Sequence, residues 1–84
     1  MNDGRHYWLL SWFEKEGDAL IGEVELRQLS DEDASRILDF DFKEGLGAEF
    51  PLDDRRANLL SAVTNEQIDI ERWDYFLGAC SQPG

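Results

Sequence analysis

The chain has almost none of the thiol and imidazole side chains on which much covalent and zinc chemistry rests. It holds one cysteine and one histidine in 84 residues. A lone cysteine forms no intramolecular disulfide, so nothing here calls for an oxidising compartment. Cys80 lies between Ala79 and Ser81. A reactive thiol wants a positive setting or a helix N-terminus, so a small half-buried apolar role suits this one better. His6 sits in a polar lead-in with no serine or cysteine placed to partner it, and a general base needs fixed geometry. No catalytic residue and no cofactor are therefore expected, and zinc lacks a ligand set. Positive charge is also scarce: 8 Lys+Arg against 19 Asp+Glu give a formal net charge of −11. Such a surface repels phosphate, which argues against nucleic acid and anionic membranes as direct partners. Long apolar runs are missing too. Met1–His6 has no basic region leading into an apolar stretch. No signal peptide or membrane span is expected, and the cytoplasm is the expected location.

What is present is enough for a core. Apolar residues make up 42% and aromatics 12%, too much for a disordered chain. One small domain over residues 1–84 is expected, with 1–6 and 81–84 flexible at its ends. The chain is organised around Tyr7–Leu26, where two apolar runs flank Lys15-Glu16-Gly17-Asp18. That is a β-hairpin signal, because Gly17 can take the positive φ of a tight turn. With Glu16 and Gly17 as the loop, Phe13 faces Leu20, Ser11 faces Gly22, Leu9 faces Val24 and Tyr7 faces Leu26. Strand side chains alternate, so these share a core face. The second face mixes Trp8, Leu10, Trp12 and Ile21 with Glu14, Glu23 and Glu25.

Three helix starts follow. Ser30 can cap a helix over 31–38, with Asp31, Glu32 and Asp33 at the positive end of its dipole. Asp53, after Pro51, can cap a second over 54–64, with Ala57, Leu60 and Val63 on one face. Asp69 looks like the cap of a third over 70–79, where Ile70, Trp73, Leu77 and Cys80 keep helical spacing. Asp39–Phe42 reads as a short strand or as a loop anchored by its two phenylalanines. A hairpin alone is not stable. The expected fold is α+β: an N-terminal antiparallel β-hairpin covered by about three short helices. The expected core is Leu9, Phe13, Leu20, Val24, Ile37, Leu60 and Trp73.

Two motifs fail on inspection. A calcium loop counted from Asp31 has Ser35, Arg36 and Phe42 where acidic, glycine and glutamate residues belong, and one counted from Asp39 fails at Lys43 and Glu44. An irregular Mg²⁺ or Ca²⁺ site stays open as an alternative. Gly45-Leu46-Gly47 lacks the Lys-Ser/Thr of a phosphate loop and sits among acidic residues, so it reads as a flexible connection.

The run Ile68-Asp69-Ile70-Glu71-Arg72-Trp73-Asp74-Tyr75-Phe76-Leu77 resembles the closing motif of short acidic bacterial proteins of unknown function, some of them associated with toxin-immunity loci. The resemblance covers about an eighth of the chain, and Trp73 departs from the smaller aromatic of that pattern. It implies an immunity-type inhibitor and carries no site across.

The functional expectation is a non-enzymatic acidic protein that binds a basic partner, an immunity protein occluding a nuclease-type toxin. Carboxylates at Glu23, Glu25, Asp31, Glu32, Asp33, Asp39 and Asp41 would supply the field, and Trp8 or Trp12 the apolar anchor. The alternatives are a solvated acidic surface, burial of the tryptophan face under the chain's own helices, and a self-associating structural or regulatory module.

Overall fold

The computed structural model describes residues 6–39 and 49–81. Its strands are β1 (His6–Glu14), β2 (Leu20–Glu25), β3 (Glu49–Pro51) and β4 (Trp73–Ser81), and its helices are α1 (Asp31–Leu38) and α2 (Asp54–Thr64). The fold is α+β: a four-stranded antiparallel sheet in the order β2-β1-β4-β3, with two helices. His6 and Ser81 pair across β1 and β4.

The hairpin forms, but its register slips. Phe13 faces Leu20 as expected, yet Trp12 then faces Gly22, Leu10 faces Val24 and Leu9 faces Glu25. Ile21 is the extra residue of a β-bulge, and one extra residue turns every later side chain to the other face. The register after the slip sets Gly22 against the Trp12 indole. A Cβ on Gly22 would lie 2.5 Å from the indole Cζ2 of Trp12. Glycine therefore gives Trp12 room to lie across β2.

The slip turns β1 over, while Val24 in β2 and Leu26 just after it keep the inward face expected of them. Trp8, Leu10 and Leu26 are buried, and Trp12 and Val24 pack beside them. Leu9 and Phe13 are only half-buried, and Leu20 is 53% exposed, so these three do not form the core. β4 adds Tyr75, Leu77 and Ala79 to the buried side, opposite Trp12, Leu10 and Trp8.

The third expected helix, over 70–79, is strand β4. Asp69 accepts from the Glu71 N–H at 3.2 Å, and its carbonyl accepts from the Arg72 and Trp73 N–H groups. That is a turn entering a strand. Trp73, Tyr75, Leu77 and Ala79 then alternate with Asp74, Phe76, Gly78 and Cys80, the period of a strand. Lodged between β1 and β3, β4 gains hydrogen bonds along both edges.

Both remaining helices follow their capping chemistry. Ser30 Oγ accepts from the Asp33 N–H at 3.1 Å, and Asp53 Oδ1 from the Arg56 N–H at 2.9 Å. Each helix ends on a left-handed residue, Asp39 at φ 51° and Asn65 at φ 62°. α1 buries Ala34, Ile37 and Leu38. α2 buries Ala57, Leu60 and Thr64 and leaves Val63 exposed. Thr64 tolerates burial because its hydroxyl donates to the Leu60 carbonyl at 2.8 Å. The two helices are tied by arginines. Arg55 donates to the Ile37 carbonyl at 3.2 Å and Arg56 to the Leu38 carbonyl at 3.3 Å. Cations suit the negative end of α1.

Candidate functional site

With β1 turned over, Trp8 and Trp12 lie on the helix-covered side of the sheet. Trp8 is 2% exposed and its indole N–H donates to Asp31 Oδ1 at 2.9 Å. Trp12 is half-buried, with its ring centroid 5.5 Å from that of Tyr75. Trp8 belongs to the buried core and Trp12 packs against that core from a partly buried position. Their face is the covered one.

The carboxylates divide between two layers. Glu23 and Glu25 stand exposed on β2, opposite Ser11 and Leu9, on the face away from the core. Asp31, Glu32 and Asp33 lie in the first turn of α1, on the core side, and Asp39 caps its far end. Arg36 stands 3.8 Å from Glu32 and 3.6 Å from Asp33, which blunts that cluster. Glu25 and Asp31 do come together: both line an open depression of about 210 Å³ with Tyr7, Trp8 and Arg27. Asp41 lies outside the described residues, as do Phe40 and Phe42 of the Asp39–Phe42 alternation and the glycines Gly45 and Gly47.

The helices cover one face of the sheet. On the other, where no described helix lies, the central strands place Tyr7, Leu9, Phe13 and Phe76, all half-buried. Phe13 and Phe76 meet edge to face, with centroids 5.7 Å apart and planes at 81°. Ser11 and Gly78 leave the middle of the face low. Acidic residues rim it: Glu23 and Glu25 on one edge strand, Glu49 on the other, and Asp74 on β4. The bases nearby are already engaged, Lys15 with Asp74 at 2.9 Å and Arg27 with Glu25 at 3.7 Å. Sequence reasoning missed Phe76, Asp74 and Glu49 as members of this face. The signal for the first two was the period-2 alternation of Trp73–Cys80, hidden by a competing helical spacing.

One group on the face has a shifted ionisation. The Tyr7 phenol is held above its usual range, first by its charge interaction with Cys80 across the strand pair. Partial burial, a hydrogen bond with Cys80 and the charges of Glu25 and Glu23 act in the same direction. Tyr7 is thus a neutral hydrogen-bonding group at physiological pH. Among the described residues, no three His, Cys, Asp or Glu side chains converge as metal ligands. No described helix is long and apolar enough to cross a membrane.

The profile of a domain of unknown function, DUF7683, matches residues 7–78. The chain belongs to the DUF7683 family. The match opens at Tyr7, beside the buried Trp8, and closes at Gly78 in β4, so it takes in β2, β3, α1, α2 and most of β1 and β4. No curated protein matches the chain. The DUF7683 description names no activity, and function must be argued from the geometry of the open face.

Proposed function

We propose that this DUF7683 domain is a non-catalytic cytoplasmic protein that binds a basic protein partner on its open sheet face. In its specific form the reading is an immunity protein that occludes a nuclease-type toxin. One observation carries it: an aromatic and aliphatic sheet face rimmed by glutamates and aspartates, on a chain of net charge −11. A nuclease site is basic because it holds phosphate, so an acidic face can take the place of the substrate and speed encounter. The anchor role passes from Trp8 and Trp12 to Phe13 and Phe76. The aspartates of α1 add to the long-range field from the other layer. Self-association through the same face is disfavoured, because two copies would each bring a net charge of −11 and the same acidic rim.

The test is affinity capture from the native host with the full chain as bait. The expected partner is basic, elutes as salt rises, and loses a nuclease-type activity when the domain is added at equal stoichiometry. A captured partner that is acidic, or that stays bound regardless of salt, overturns the reading.

A further inference from the structure

The open face contains one hollow with a definite chemistry. It measures about 250 Å³ and is lined by Phe13, Phe76, Asp18, Glu49 and Asp74. Its two rings meet edge to face, with planes at 81°. Asp74 is shared with Lys15 at 2.9 Å. Asp18 and Glu49 are exposed and make no ion pair among the described residues. The hollow thus offers aromatic walls and two carboxylates that no described cation neutralises.

We infer that this hollow receives an arginine side chain of the basic partner. This rests on the docking reading and names the chemistry of its central contact. A guanidinium stacks on an aromatic face and takes a carboxylate through two parallel N–H donors, which a lysine ammonium does not. Its aliphatic stem matches the apolar wall. A divalent metal ion fits less well, since phenyl rings are not ligands and, among the described residues, its three carboxylates are not arranged to hold one ion together. A second copy of the chain fits less well, since its own surface is acidic.

The probe is a capped pentapeptide with one central arginine, acetyl-Gly-Gly-Arg-Gly-Gly-amide, titrated into the full chain at low ionic strength. Its neutral citrulline counterpart is the control. Ring resonances of Phe13 and Phe76 are followed by NMR. The arginine peptide is expected to shift both rings saturably and the citrulline peptide is not. Glu49→Gln should weaken the arginine peptide about two- to fivefold, the range for one exposed ion pair. Phe76→Leu keeps an apolar residue in the strand and should weaken it without unfolding the chain. Equal response to both peptides, shifts confined elsewhere, or no change with Glu49→Gln would overturn the assignment. The two proposals can fail separately. If the captured partner docks across Glu23 and Glu25 while the peptide ignores the hollow, only the arginine assignment falls. If the peptide fills the hollow and no basic partner is captured, the docking reading falls.

Discussion

Gly22 leaves room for the Trp12 indole on the inner face of the hairpin. It lies opposite Trp12, and a methyl group there would meet the indole at 2.5 Å. The indole has little room to retreat, because it also packs on Tyr75. Gly22→Ala should therefore cost about 1–3 kcal/mol, the usual range for overpacking a filled core. Pairing it with Trp12→Leu should recover part of that loss, because the two positions are in contact and do not act additively. Urea denaturation of the single and double variants measures this. A Gly22→Ala variant as stable as the parent would mean that the indole does not hold the register. The same contact explains why the slip was hard to read. Turn chemistry at Gly17 pointed to the right first pair, Phe13 with Leu20, and nothing in local propensity announces a bulge at Ile21.

The elements were legible in proportion to how local their causes are. Ser30 and Asp53 cap α1 and α2 through hydrogen bonds three residues long, and both helices begin and end where the capping pattern places them. Asp69 carries the same local chemistry, but its segment is a strand, because β4 finds hydrogen-bond partners in β1 and β3 far away in sequence. Tertiary pairing overrides a cap signal when the residues also suit a sheet, and Trp73, Tyr75 and Phe76 do. The site was legible only in part for the same reason. Glu23 and Glu25 were visible as an acidic pair on β2, whereas Phe76, Asp74 and Glu49 join them only once β4 and β3 are in the sheet. The two faces can be told apart by truncation. Leu60 is fully buried on α2, and Leu60→Ala should cost about 2–5 kcal/mol. Leu20 is 53% exposed, and Leu20→Ala should cost less than about 1 kcal/mol. Thermal melts of the two variants check this, and equal losses would contradict the assignment of inside and outside.

At the scale of the whole molecule, one sheet face is covered by the described helices and the other is not. The helices, Trp8, Leu10 and Leu77 build the first. The second gathers aromatic surface, with a rim of charge of one sign, on a chain whose net charge is −11. Surface charges steer encounter over about 8 Å at physiological salt and act mainly on the association rate. The most direct measurement is therefore the association rate of the captured basic partner as a function of salt, for the parent and for two charge-reversed variants. One carries Glu23→Lys and Glu25→Lys on the open face, and the other Asp31→Lys and Asp33→Lys on α1. Circular dichroism first establishes that each variant folds. The predicted result is an association rate that falls as salt rises and falls further with the Glu23/Glu25 reversal than with the Asp31/Asp33 reversal, while dissociation changes less. An association rate indifferent to salt and to the Glu23/Glu25 reversal would contradict the open face as the docking surface and leave its carboxylates as a solvated rim.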